Sequence, residues 1–381
     1  MELFISILNN QFMLLFLILS LGLLLGKITI CGISLGESGV LFVALVFGHF
    51  HFTIPDGIGT FGLLLFIYCV GVSAGPSFFK AFASQGVVLA KLSVLTVVLG
   101  GIITTCIIKF FEVPLDLGIG LFAGALTSTP ALASGIDALK DFGDLVPVGY
   151  GIAYPFGVIG VVLFVQLLPR LLNVDLNEID NSSEENKNDI EPVETVSKEK
   201  DKNIEKTDIF KISIALVLGI LLGKLPIPLF GGKTIILGLA GGPLFVALLL
   251  SYFKKTGNFP VAARSFLQTF GLILFLANAG VKAGGKLVPV LQEYGFILFL
   301  YGGIITILPM LITFFIAYKF LKINILEALG GICGGMTSTP ALGAITSKTD
   351  SIRPVTSYAV AYPVALILMT LIVQLIVSFF I

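Results

Sequence analysis

The sequence predicts an all-α polytopic membrane protein of two inverted-topology repeats, each with about five transmembrane helices plus a re-entrant or broken helix. Three observations predict it. Apolar residues make up 56% of the 381 residues and charged residues 12%, with mean hydropathy +1.04, far outside the range of soluble domains. Apolar stretches of near-spanning length follow one another from end to end. The first half is also written again in the second: TSTPAL at 127–132 recurs at 337–342, and each copy is followed by AYP, at 153–155 and 361–363.

Taken in order, the apolar segments fall near residues 9–27, 36–52, 58–78, 86–111, 117–138 and 147–172, then 208–225, 234–253, 264–284, 291–319, 325–346 and 355–380. Each approaches the roughly 20 residues that a helix needs to cross a bilayer core. The first run reads as a membrane helix rather than a cleaved leader, because Glu2 is the only charge before Lys27. Residues 173–207 are rich in Asp, Glu, Asn, Lys and Ser and too polar to bury a core. They are expected to form a flexible linker between membrane repeats at 1–172 and 208–381. The likeness of the halves extends beyond the signature. LGLLLGK at 21–27 matches LGILLGK at 218–224, LFVAL at 41–45 recurs at 244–248, TFGL at 60–63 recurs at 269–272, and GVSAG at 71–75 becomes GVKAG at 280–284.

Composition excludes several classes. Basic and acidic residues both number 23, so nothing points to nucleic acid as a partner. Cys31, Cys69, Cys106 and Cys333 stand singly in apolar sequence and read as buried small side chains, not as a disulfide frame or metal site. Asp56, Asp116, Asp137, Asp141, Asp144 and Asp350 fall at segment ends or loops, which argues against an intramembrane aspartyl protease. Neither a histidine pair for a metalloprotease helix nor a phosphate-binding glycine loop is written. No enzyme and no cofactor is expected, and coupling to sodium ions or protons stays open.

The duplicated signature carries the chemistry. Proline has no N–H and holds φ near the helical value, and a serine or threonine before it is a good N-cap, so Pro130 and Pro340 read as helix starts. That places two helix N-termini, with free N–H groups and partial positive charge, inside the apolar layer. Such breaks are tolerated only where protein or a watery cavity surrounds them. The plain alternative is a kink whose hydroxyls re-satisfy freed carbonyls. Thr127, Ser128, Thr129, Pro130 and Ala131, with Thr337, Ser338, Thr339, Pro340 and Ala341, are therefore the first candidates to bind an acid.

Tyr154 and Tyr362 rank second, as phenols that reach the same cavity if their helices bend at the following proline, or as side chains packed at a kink. Gly71, Gly75, Gly280 and Gly284, four apart, read as points of close helix approach. Lys282 replaces Ser73 in the second copy and offers a charge for a carboxylate, against the alternative that it snorkels to the interface. Asn278 is polar in apolar sequence and is a candidate to line the path. If each signature segment re-enters, each half has an odd number of crossings and the halves are inverted. Basic residues then favour an outer N-terminus and a cytoplasmic linker. Six full crossings per half, giving parallel repeats, is the alternative.

The runs GALTSTPALAS at 124–134, YGIAYPFG at 150–157 and GVSAGPSFF at 71–79, with their second copies, resemble the aspartate:alanine exchanger family of bacterial secondary transporters. The resemblance covers both membrane halves. It implies a multi-pass protein of the inner membrane that exchanges or exports aspartate, alanine, succinate or related small acids. Members commonly insert cytoplasmic regulatory domains between the halves, where this chain has only the short linker, and Gly285 stands where the first copy has Pro76. The expectation is an elevator-like carrier of small carboxylates or amino acids, in the lipid bilayer and as a homodimer. An ion-coupled organic anion symporter and an ion channel are the alternatives.

Overall fold

The computed structural model describes residues 10–30, 33–55, 57–80, 86–172, 208–228, 234–256, 259–349 and 351–381; the expected linker lies outside the described residues. The first half supplies α1 (Gln11–Lys27), α2 (Gly39–His49), α3 (Ile58–Lys80), α4 (Gly86–Phe110), α5 (Leu115–Ala125), α6 (Thr129–Leu139) and α7 (Val146–Leu171). The second supplies α8 (Ile209–Lys224), α9 (Gly238–Tyr252), α10 (Val261–Tyr294), α11 (Ile297–Phe315), α12 (Ile325–Gly335), α13 (Thr339–Thr346) and α14 (Arg353–Phe380). Six of these, α3, α4, α7, α10, α11 and α14, include stretches long and apolar enough to cross a membrane. The chain is an all-α, multi-pass membrane protein. Leucines and phenylalanines such as Phe16, Leu24, Leu221 and Leu300 are exposed on its outside, as lipid-facing positions should be.

The apolar segments at 117–138 and 325–346 are each two helices, broken at 126–128 and 336–338, where the helix starts expected at Pro130 and Pro340 lie. Other elements differ from the sequence reading. Helix α10 continues past the expected boundary at 284, through Pro289, and stops only at Gly295, whose φ of +60° an L side chain rarely adopts. Two small antiparallel hairpins, Thr29–Ile30 with Ile33–Ser34 and Pro226–Pro228 with Thr234–Ile236, occupy the same place in each half. Strands of two or three residues carry no alternation to read.

Glycines set the directions of the helices. Gly62 of α3 and Gly271 of α10, the same residue of the repeat, cross so closely that a Cβ on either would lie 2.6 Å from the other's carbonyl oxygen. Gly71 and Gly75 run along residues 244–251 of α9, and Gly280 and Gly284 along residues 41–49 of α2, so the expected close approach is present and joins the two halves. Gly120 lies on Val146 and Gly149, Gly124 on Tyr150 and Tyr154, and Gly157 on Gly124 and Thr127, so α5 and α7 run side by side in one direction. Gly330 on Pro354 and Gly334 on Ala361 and Tyr362 set α12 and α14 in the same way.

Each broken segment then returns to where it began. The Asp116 carboxylate at the start of α5 accepts the N–H of Leu145 at the start of α7 at 3.0 Å, with α6 between them in sequence. Glu327 at the start of α12 pairs with Arg353 at the start of α14 at 3.2 Å, with α13 between. Helices α5–α6 and α12–α13 are thus two hairpins with tied necks. Helix α4 runs in the same direction as α14, since Ser93 donates to the Ala361 carbonyl, Gly101 meets Ile372 and Lys109 lies over the Phe379 ring. Helices α7 and α11 pair likewise through Ala153 and Gly302, Gly160 and Thr306, and Phe164 and Phe314.

Candidate functional site

The hairpin tips are built by local rules. At the end of α5 the Thr127 N–H bonds the Gly124 carbonyl at 3.0 Å and the Ser128 N–H bonds the Ala123 carbonyl at 2.8 Å, a Schellman cap. Such a cap needs its penultimate residue in the left-handed region, and Thr127 has φ +52°. The second tip repeats this with Thr337 to Gly334, Ser338 to Cys333, and φ +52° at Thr337. Glycine is the usual occupant, and a β-branched residue there costs about 1–2 kcal/mol. That the chain places threonine there twice calls for a use of the hydroxyl.

The use is mutual. A helical donor for the Leu126 carbonyl would be the N–H of residue 130, and for Met336 that of residue 340, but both are prolines. The Thr337 hydroxyl donates to the Leu126 carbonyl at 2.8 Å, and the Thr127 hydroxyl donates to the Met336 carbonyl at 2.8 Å, with the two hydroxyl oxygens 3.5 Å apart. Repeat-equivalent residues thereby tie tip to tip, as Gly62 and Gly271 tie α3 to α10. Thr127→Gly and Thr127→Val both strand the Met336 carbonyl, at about 1–3 kcal/mol, but glycine also relieves the left-handed strain of about 1–2 kcal/mol. Thr127→Gly should therefore stay near the parent in stability, and Thr127→Val should melt below the glycine variant in detergent.

Immediately after each turn a helix begins, as expected from the Ser-Thr-Pro order. Ser128 caps α6 by accepting the Ala131 N–H at 3.3 Å, and Pro130 sits in the first turn. Ser338 stands in the same place before α13 but makes no such bond, and its hydroxyl, in a residue only 1% exposed, has no hydrogen-bond partner among the described residues. Exposure differs too. Ser128, Thr129, Pro130 and Ala131 are buried, whereas Thr339 and Pro340 are exposed and Ala341 is buried behind them.

The phenols at the tips are not those expected. Thr129 Oγ1 lies 3.5 Å from the Tyr150 hydroxyl, and Thr339 Oγ1 lies 3.1 Å from that of Tyr358. Tyr154 and Tyr362 stack on Tyr150 and Tyr358, with ring centroids 5.2 Å apart in both halves. The signal was the tyrosine spacing of four, which puts each pair on one helix face. Another missed contact is polar and buried: Ser134 of α6 donates to the Thr370 carbonyl and accepts from Gln374, both on α14.

The remaining candidates lie apart from these contacts. Asn278 packs against Gly59 where α10 crosses α3. Ser73 and Lys282 hold equivalent, exposed places on α3 and α10, each between two glycines of the close approaches. Toward the neck of the first hairpin, Asp116, Asp144, Leu145, Lys286, Val290 and Glu293 border a cavity of about 410 Å³, with Lys286 paired to Asp144. No cluster of metal-ligating side chains occurs among the described residues.

Comparison with known proteins agrees with this architecture. A family described as a predicted permease membrane region (Asp-Al_Ex) matches residues 14–170 and 211–378, skipping the polar stretch. An uncharacterized transporter, BF2680, of Bacteroides fragilis is 33% identical over 531 aligned residues, covering 98% of this chain and 99% of the relative. An uncharacterized transporter of Bacteroides thetaiotaomicron is 32% identical with the same coverage. A putative transport protein of Actinobacillus pleuropneumoniae is 26% identical over 95% of this chain and 97% of its own length. The aligned lengths exceed the 381 residues here, so these relatives carry insertions that this chain lacks. No solved structure matches. The signature at both hairpin tips and the family match over both halves make this chain a member of the aspartate:alanine exchanger family of permeases.

Proposed function

We propose that the protein is a secondary transporter that exchanges or exports small carboxylates or amino acids, of the kind of aspartate, alanine or succinate, by elevator-like alternating access. The observation that carries this reading is the crossed pair of hydroxyl bonds between Thr127 and Met336 and between Thr337 and Leu126. It sets the N-termini of α6 and α13 beside one another, where two positive helix ends favour an anion. Thr127 to Ala131, Thr337 to Ala341, Tyr150 and Tyr358 form the substrate site. Asn278, Ser73 and Lys282 are assigned to the path or to the scaffold around it.

Inverted repeats at 1–172 and 208–381 complete the reading. Helix α4 ends at the neck of the first hairpin. Since α14 runs in the direction of α4, its first residue, Arg353, belongs at the opposite end, together with the neck of the second hairpin. Five crossings per half with one re-entrant hairpin each satisfy these directions. Lys109, Lys140 and Lys286 then share one side, and Arg170, Lys319, Lys322, Lys348 and Arg353 the other. The excess of positive charge assigns the second side, and the linker, to the cytoplasm of an inner membrane. Helices α2, α3, α9 and α10, locked through their glycines, form the scaffold. The hairpins with α4, α7, α11 and α14 form the moving body, in a homodimer.

Counterflow into proteoliposomes is the test. Vesicles loaded with aspartate, alanine or succinate should take up labelled substrate faster than empty ones, at a carrier's rate. Flux that ignores internal substrate and far exceeds a carrier's rate would favour a channel and overturn the proposal.

A further inference from the structure

The two tips are equivalent in sequence and unequal in state. The first hairpin is held at every level. The Thr306 hydroxyl of α11 donates to the Ala125 carbonyl at 3.2 Å, Ser128 caps its own helix, Ser134 is bound to α14, and the Asp137 carboxylate accepts the N–H of Leu239 on α9 at 2.6 Å. In the second hairpin each counterpart does something else. Thr96, the match of Thr306, bonds the Leu92 carbonyl and Thr313 instead of the hairpin, Ala344 stands for Ser134, and Ser347, which stands for Asp137, bonds within its own helix. The Ser338 hydroxyl is buried at the end of α13 with no partner among the described residues, and Thr339 beside it is open.

We infer that the tips take the substrate carboxylate in turn, and that in this conformation the α13 tip alone is the binding site, reached from the Arg170 side. This rests on the transport reading above and adds which tip binds and from where. That tip offers three donors. Among the described residues the covered Ser338 hydroxyl has no partner, Thr339 is exposed with its hydroxyl 3.1 Å from that of Tyr358, and the Ala341 N–H lacks the cap that occupies its counterpart, Ala131. A carboxylate supplies acceptors for all three at the positive end of a helix, and charge-assisted bonds of this kind are the strong ones. Past the other end of α13, Lys348 and Arg170 stand near each other; partial burial and the neighbouring guanidinium hold the Lys348 ammonium below its usual range. Two cations that repel there draw an anion inward. At the α6 tip the matching acceptor is already internal and the threonine is covered, so an acid finds no vacancy until that hairpin is released.

Charge-selective thiol labelling of the purified full chain in detergent tests this, with the four native cysteines replaced by alanine. Thr339→Cys should react with anionic methanethiosulfonate ethylsulfonate faster than with its trimethylammonium counterpart. Thr129→Cys should react more slowly with both, by about tenfold or more. Adding Ser338→Ala should cut the preference for the anion about fivefold, the worth of one hydroxyl donor, while Ser338→Thr, which keeps the hydroxyl, should retain it. Equal reactivity at 129 and 339, no preference for the anion, or no effect of Ser338→Ala would overturn the inference. Counterflow together with equal labelling would leave transport standing and remove the one-tip assignment. The expected labelling in a chain without counterflow would do the reverse.

Discussion

Vesicles carrying Thr129→Val or Thr339→Val will show no exchange above protein-free vesicles, at an undiminished yield of assembled protein. Valine matches threonine in volume, and among the described residues each hydroxyl meets only a tyrosine hydroxyl, at 3.5 Å or 3.1 Å, so assembly loses little. Function loses more. In the proposed site the threonine at the start of the helix is a donor to the carboxylate, and a hydrogen bond to a charged group is worth about 1.5–3 kcal/mol, or roughly 10- to 150-fold in affinity. Exchange requires loading from both sides, so a deficit at either tip limits the whole cycle. The tips nevertheless predict different partial reactions. Binding to this conformation should fail in the Thr339 variant and persist in the Thr129 variant. Unchanged kinetics in both would remove the threonines from the site.

The parts of this architecture that sequence could reveal are those written in local chemistry. The Ser-Thr-Pro order announces a helix start, and the duplication announces that there are two. Glycines four apart announce close packing, and α9 and α2 do lie on them. What sequence could not reveal depends on partners brought from far away. Thr127 reads as one more hydroxyl in a polar tip until Met336 arrives opposite it, because the missing N–H that makes the bond necessary belongs to Pro340, in the other half. Tyr150 and Tyr154 have equal claims on a helix face; only the return of α6 beside α7 decides which phenol meets Thr129. The inequality of the tips is less legible still. Ser128 and Ser338 sit in identical six-residue runs, and one is satisfied while the other is not. Under the proposed transport cycle, repeats related by a two-fold axis allow two conformations of similar energy, and the choice between them lies in positions where the copies diverge.

Asp137 is the divergent position with the greatest leverage, and Asp137→Ala should transfer exposure from one tip to the other. Its carboxylate accepts the Leu239 N–H at 2.6 Å in the first turn of α9, where a free N–H and the helix dipole both favour a negative charge. Gly238, at φ +70°, lies against the same carboxylate with no room for a Cβ, so the start of α9 is shaped to receive it. The second hairpin has Ser347 there, whose hydroxyl turns back to Ala344. Among the described residues one hairpin is thus tied to α9 through a carboxylate and the other has no matching bond, which under the proposed elevator cycle favours the state with the α6 tip covered. Losing a charge-assisted bond of about 1.5–3 kcal/mol should shift that balance by roughly 10- to 150-fold. Reactivity of Thr129→Cys toward the anionic reagent should therefore rise at least about tenfold in the Asp137→Ala background, while that of Thr339→Cys falls. Asp137→Asn, which keeps an acceptor but not the charge, should lie between. If labelling at 129 stays at the parent rate in both variants, Asp137 caps α9 without governing which side is open, and the bias must come from the Ser134 and Gln374 contact instead.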